Sequence, residues 1–211
     1  MKVKEAEIKE IRRIVDRIND EGDYFYERLH KGQKHTMFFN FWEKHYEWTE
    51  LKKFPEIGGH IMDFGCGSGH SDVLLAANGY KVHGIDNSRT GIAIAEYLRK
   101  IQPEGIRKNV SFECLNIDKD TTERDVKYDS VWSAHVFEHI EDPTEVFLGL
   151  KKLVKPKAKM LISVPYRDCY KHPTHVHYWY SDKELRVFLG QFIEVIDVKV
   201  RTPVLRALCV F

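Results

Sequence analysis

The chain has 211 residues, the size of one α/β domain with a modest extension, and its 43% apolar and 31% charged residues describe a folded protein rather than a disordered one. A net charge of +1 supplies no whole-molecule field for nucleic acid or an anionic membrane, and no apolar run reaches the roughly 18 residues of a membrane span. The charged start MKVKEAEIKE lacks the apolar core of a secretory leader, and Cys66, Cys114, Cys169 and Cys209 have no paired spacing, so a cytoplasmic protein with reduced thiols is expected.

Residues 3–19 carry Val3, Ile8, Ile11, Ile14, Val15 and Ile18 at helical spacing, stopped by the polar run 19–23. Tyr24, Phe25, Tyr26, Phe38, Phe39, Phe41, Trp42, Tyr46 and Trp48 follow, and 36–53 reads as a second helix ended by Pro55 and Gly58-Gly59. These aromatics suit either helices packed on a sheet or a lid lining an acceptor pocket, and a lid must also pack. The spacing therefore divides the chain into a helical cap over 1–57 and a main domain over 58–211.

From residue 61 strands and helices alternate. Strands are predicted at 61–64, 81–85, 110–115, 128–133, 159–164, 192–200 and 204–211. Helices are predicted at 70–78, 89–101, 143–153 and 181–189; the second turns Ile92, Ile94, Ala95 and Leu98 inward, and the last opens on Ser181 with Glu184 three residues on, a capping box. Alternation of this kind implies an α/β, Rossmann-like doubly wound, mostly parallel sheet of seven strands. The last strand follows its neighbour through the short Arg201-Thr202-Pro203 turn, too short for a crossover, so it must be antiparallel.

The stretch 61–70, IMDFGCGSGH, is a strand, a glycine loop and a helix start, where glycine permits left-handed backbone and close approach of a ligand. The dinucleotide fingerprint needs a third glycine at position 70, where His70 stands. The pattern DFGCGSG, with Asp63 two residues before Gly65, instead resembles motif I of the class I S-adenosylmethionine-dependent methyltransferases. The block YDSVWSAHVFEHIEDP, with Asp129, His139 and Asp142-Pro143, resembles the type 11 small-molecule group of that family, as does LVKPKAKMLISVP. In the latter Lys157-Ala158 replace the family's two glycines, so the local turn is expected to differ. The resemblance spans roughly 58–200.

The resemblance implies S-adenosylmethionine as cofactor, S-adenosylhomocysteine as product, and a glycine loop, Gly65, Cys66, Gly67 and Gly69, beside the cofactor's amino acid part with Asp63 ordering it. Asp86, ending the second strand, is placed to accept ribose hydroxyls, or else to cap the next helix, a task open also to Asn87 or Ser88. After the third strand Asp118 is the adenine-amino candidate, with Ile117 beside the ring and Asn116 as the alternative. Ser133 and Ala134, ending the fourth strand, complete the set.

Transfer to a hydroxyl requires loss of its proton, and histidine suits that near neutral pH. Two clusters follow the fourth and fifth strands: His135 and His139, four apart on one expected helix face, and His172, His175 and His177 among Tyr166, Tyr170, Tyr178, Trp179 and Tyr180. The second cluster reads as a solvent-facing loop, a proton-accepting base or a metal site. No cysteine pair or carboxylate cluster adjoins it in sequence, so a base without metal is expected, His175 first because Pro173 constrains the approach and Trp179 would follow one helical turn on. His139 serves helix packing or the site equally well.

The expected function is methylation of a small molecule, at oxygen, by a monomer or homodimer. A nicotinamide-dependent oxidoreductase and a non-catalytic cofactor-binding protein are the rivals. Nucleic acid is not an expected partner: there is no basic run, and Ser133-Ala134-His135-Val136 stands where the amino-methylating nucleic acid enzymes carry their Pro-Pro motif.

Overall fold

The computed structural model describes residues 5–18, 57–119, 121–167, 169 and 172–211. The aromatic run 24–48, the helix expected at 36–53 and Tyr170 lie outside the described residues. Among the described residues seven strands form one sheet in the order β3-β2-β1-β4-β5-β7-β6. They are β1 (His60–Phe64), β2 (Lys81–Asp86), β3 (Val110–Cys114), β4 (Tyr128–Ala134), β5 (Val154–Pro165), β6 (Glu194–Arg201) and β7 (Val204–Val210). Contacts divide the chain into two compact units, one of 1–54 with 66–115 and one of 55–65 with 116–211.

The first unit holds β2 and β3 in parallel, with α1 (Glu5–Ile18), α2 (His70–Ala77), α3 (Arg89–Lys100) and α4 (Glu104–Arg107). The short α4 falls where Pro103 and Gly105 signal only a break: Pro103 is well placed before a first turn, and four residues are too few to show periodicity. On α3, Ile94, Ala95 and Leu98 are buried and Ile92 is half-buried. Ile94 and Leu98 meet Val73 of α2 and, from α1, Ile11 and Ile14 in one apolar cluster. The described part of the N-terminal segment is therefore a packed helix of this unit.

In the second unit β1, β4 and β5 run parallel, and β7 runs antiparallel to β5 on one side and to β6 on the other. β1 is buried almost throughout, as expected of a central strand covered on both faces. Asp129 fastens its start: one carboxylate oxygen accepts the His60 N–H at 2.7 Å and the other accepts Lys155 Nζ. These partners, His60 first, hold the Asp129 carboxyl below the usual range. Asp142 accepts both the N–H and the hydroxyl of Thr144 at the start of α5 (Thr144–Leu153). α6 (Asp182–Leu189) begins as its capping box predicts, with the Ser181 hydroxyl accepting the Glu184 N–H.

β5 corrects the expectation of a turn before residue 159. The strand starts directly after α5, and its register against β4 jumps between the pairs Tyr128–Val154 and Ser130–Lys159. Lys157 takes φ 64°, the left-handed conformation a glycine would adopt without strain. Its N–H donates to the Phe211 carbonyl, and the Phe211 N–H donates to that of Ala158, so the irregular stretch is held by β-type hydrogen bonds.

Ile14 is 4% exposed within the first unit's cluster. Ile14→Ala should cost about 2–5 kcal/mol, read as a lower urea midpoint with an unchanged m-value. An unchanged midpoint would show that α1 is not docked there.

Candidate functional site

The first unit carries a glycine loop locked onto a carboxylate. Gly67 and Gly69 have φ 54° and 70°, and a Cβ at Gly69 would lie 2.5 Å from the Phe112 ring and 2.7 Å from Ala95. Alanine is therefore excluded there by both backbone and packing. Cys66, 8% exposed and in no disulfide, donates its N–H to the Ile85 carbonyl at 3.2 Å. The Gly67 N–H donates to Asp86 Oδ2 at 2.8 Å, and the Ser88 N–H donates to Oδ1 at 2.8 Å. Burial raises the Asp86 pKa, opposed by hydrogen bonds from Ser88, Gly67 and Asn87. Ser88 is the N-cap of α3, accepting the Gly91 N–H at 2.9 Å. Asp86 is thereby relieved of capping and remains half-buried at the end of β2, next to an exposed Asn87.

In the second unit Asp63 is 2% exposed near the end of β1. Gly65 has φ 80°, and a Cβ there would lie 2.2 Å from Val136 Cγ2, so the loops after β1 and β4 touch. The sheet order turns away in both directions between these two strands, the usual position of a ligand crevice in such sheets. Ser133 is fully buried with its hydroxyl unpartnered, and Ala134 is half-buried. After β3, Asn116 is exposed, and its amide donates to Asp118 Oδ2 at 3.3 Å. Ile117 is buried, its Cγ2 2.7 Å from where a Cβ of Gly149 on α5 would stand, so it packs under that helix.

His135 and His139 do not share an α-helical face. β4 is followed by His135 at φ 58° and then by a three-residue 3-10 turn, Phe137–His139. This turn buries Glu138 completely. His135 Nδ1 lies 3.1 Å from Glu138 Oε1, while Glu138 Oε2 is buried without a partner. The Glu138 carbonyl accepts the N–H groups of Val176 and His177, which brings the loop after β5 against the loop after β4. The rings of His139, His172 and His175 gather there: His139 to His175 is 4.7 Å, His172 to His175 5.6 Å and His139 to His172 6.1 Å between centroids. The Thr174 hydroxyl joins His172 Nδ1 at 2.7 Å and His139 Nδ1 at 2.8 Å. Glu138, His139 and His175 each offer a ligand atom within 4.8 Å of the others, and His175 Nδ1 is buried without a partner. Burial lowers the His175 pKa; Glu138 opposes this, and His139, His172 and His135 add to it.

His177 stands apart from the cluster. Its Nε2 is bonded to the Ile140 and Glu141 carbonyls, and its ring packs on Trp179 and Phe188. Residues 172–178 do not coil, so Trp179 does not follow His175 by a helical turn; it bridges Tyr166 instead. Of the surrounding aromatics, Tyr178 lies against His175, 5.7 Å between ring centroids. Nothing in the sequence alone singles out Glu138 or Thr174. The only available signal was the acid directly before His139.

A family model described as a methyltransferase domain matches residues 10–196. A ubiquinone biosynthesis O-methyltransferase of Coxiella burnetii (strain RSA 493 / Nine Mile phase I) is 30% identical over 111 residues, 53% of this chain and 45% of that protein. Another bearing that name, from Aeromonas salmonicida (strain A449), is 26% identical over 122 residues, 58% of this chain and 50% of its own. The chain thus spans about half the length of these relatives. Among solved structures, the glycopeptide N-methyltransferase MtfA complexed with S-adenosylmethionine superposes with a TM-score of 0.63 at 13% identity, covering 78% of this chain and 92% of that one. An S-adenosylmethionine-dependent methyltransferase from Aquifex aeolicus gives 0.60 at 22%, covering 77% and 87%. These likenesses establish the fold.

His70 begins α2, with its Nε2 buried and its Nδ1 2.9 Å from the Ser68 hydroxyl. Burial pushes its imidazole down to about 3. The unfolded chain takes up that proton near pH 6.5, whereas the folded chain does so only far lower. Stability is therefore full above about pH 6.5 and declines as pH falls below it. Urea unfolding between pH 7.5 and 5 should show this decline, and His70→Gln should flatten it. An equal slope in the variant would refute a neutral buried imidazole.

Proposed function

The chain belongs to the methyltransferase domain family, and on that premise we propose that it transfers a methyl group from S-adenosylmethionine to an oxygen of a small-molecule acceptor. The observation that carries the reading is the Asp86 carboxylate, held at the end of β2 by the Gly67 and Ser88 N–H groups and still half-buried rather than sealed. A carboxylate has lone pairs beyond those two bonds, enough to accept ribose hydroxyls. The left-handed glycines fit the same ligand, because backbone without Cβ admits close approach.

To the cofactor we assign Gly67, Gly69, Asp86 and Asn87 of the first unit, with Cys66 shaping the loop. Asp63, Gly65, Ser133, Ala134 and the polar pair Asn116 and Asp118, the other residues that the family resemblance suggests, belong to the second unit, where Ile117 sets the last of these loops on α5. S-adenosylmethionine, held by the first-unit residues, would supply an electrophilic methyl and would leave as the neutral thioether S-adenosylhomocysteine, the methyl carbon exchanging its bond to sulfur for one to the acceptor oxygen. The chain's own work is to orient the acceptor and remove its hydroxyl proton. The Glu138, His135, His139, His172 and His175 cluster is suited to that work, with the proton ending on an imidazole. Oxygen is favoured over nitrogen because a neutral amine needs no such group, and the relatives named above are O-methyltransferases. Cys66, Cys114, Cys169 and Cys209 form no disulfide, which suits the cytoplasm. Among the described residues no helix is long and apolar enough to cross a membrane.

Asp86→Ala should lower S-adenosylmethionine affinity about tenfold or more by calorimetry, since hydrogen bonds to a charged group contribute roughly 1.5–3 kcal/mol each. Asp86→Asn, which keeps one acceptor oxygen, should lose less. Unchanged affinity in both would remove the assignment. The reaction itself is tested by S-adenosylhomocysteine release over a panel of phenols and other hydroxyl acceptors. His175→Ala should reduce kcat on the true acceptor by about 10²–10⁴-fold and leave cofactor affinity intact. Tight NAD(H) binding without S-adenosylmethionine binding would overturn the reading.

A further inference from the structure

We propose that Glu138, His139 and His175 form a binding site for a divalent first-row transition ion of the zinc class. Three observations converge on it. Glu138 is completely buried, and its Oε2 has no hydrogen-bond partner although Oε1 meets His135. A buried carboxylate oxygen left unpaired is costly unless a cation completes it. His175 Nδ1 is also buried and unpartnered, and the three ligand atoms lie within 4.8 Å of one another. His139 has its Nδ1 held by the Thr174 hydroxyl and carbonyl, at 2.8 and 3.2 Å. That is how an outer hydrogen bond fixes an imidazole so that its other nitrogen can bind a metal.

The donor set selects the ion. Magnesium and calcium take oxygen ligands, whereas two imidazoles and one carboxylate suit zinc and its first-row neighbours. Bonds of about 2.0–2.1 Å around a tetrahedral ion place ligand atoms roughly 3.3 Å apart, so small side-chain rotations would close the set. Three protein ligands leave a coordination position open. The sequence set the metal reading aside because no carboxylate adjoins the histidine loop. The 3-10 turn after β4 supplies one from 37 positions away, Glu138 to His175.

The site stands on its own geometry; its role rests on the methyl-transfer reading. The acceptor hydroxyl takes the open position, the ion lowers its pKa, and the O–H bond breaks with the proton passing to His172, the neighbouring imidazole outside the ligand set.

Metal-stripped protein titrated with Zn²⁺ by calorimetry should bind a single ion, and Co²⁺ should give ligand-field absorption in the visible. Glu138→Gln, His139→Ala and His175→Ala should each weaken binding by about 100-fold or more. His83→Gln, on β2 with Ser111 and Glu113 as partners, should bind as wild type. Circular dichroism checks the fold of each variant; if Glu138→Gln unfolds, the half-buried His175 carries the comparison. Absence of stoichiometric binding, binding unchanged in all three variants, or equal loss in His83→Gln would overturn the site. S-adenosylmethionine affinity, measured on the same metal-free samples, separates the two readings. Cofactor binding without metal binding overturns the metal site alone. Metal binding without cofactor binding leaves the site standing and overturns its assigned role.

Discussion

The ordering of the first unit's glycine loop depends on one carboxylate. Asp86 receives the Gly67 N–H on one oxygen and the Ser88 N–H on the other, and Ser88 in turn caps α3. One side chain thus joins the end of β2, the glycine loop and the next helix start. These are charge-assisted hydrogen bonds in a partly desolvated setting, the stronger kind. Both bonds lie within the unit itself, so the backbone of the glycine loop is fixed by the chain's own groups. Gly69 adds a steric constraint to the electrostatic one, since Phe112 and Ala95 occupy the space of its absent side chain.

In the second unit the comparable fastening is made by backbone. The Glu138 carbonyl takes the N–H groups of Val176 and His177, so the loops after β4 and β5 are joined irrespective of the histidine side chains. The same residue contributes a buried carboxylate to the cluster on one side and a main-chain anchor on the other. His135 at φ 58° directs the chain into the short 3-10 turn, and a non-glycine residue there carries a conformational cost of about 1–3 kcal/mol. Such costs concentrate where function sets the backbone, and this one lies against the carboxylate that His135 meets.

The central strands were legible as apolar runs, β6 as the alternation EVIDVKVR, and the antiparallel β7 from the length of the turn before it. The glycine loop and Asp86 were legible because their spacing along the chain follows their spacing in space. Ser88 as N-cap was one of three candidates the sequence left open, with Asp86 and Asn87, and the structure decides among them. Lys157 was visible as a departure, but no local signal shows a lysine tolerating left-handed backbone through bonds to residue 211. The histidine cluster was legible only in part. His172 and His175 were found, yet helical periodicity misplaced His135 and His139 relative to each other. His177 matched its neighbours in type, but its ring is engaged by the Ile140 and Glu141 carbonyls. Glu138 became significant only once residues 37 positions apart were folded together.

β7 follows β6 in sequence yet lies between β5 and β6 in the sheet, bonded to β5 along one edge and β6 along the other. A chain emerging from the ribosome can assemble β1, β4 and β5 as it goes, but β6 has no strand to join until residues 204–210 have been made. Until then β5 presents an open edge, and the apolar residues of β6 have no sheet to enter. Such an edge is the kind of surface that invites wrong pairing with other chains. The second unit therefore closes in one late step, and its exposure to aggregation during synthesis is set by the time between translation of β5 and translation of β7.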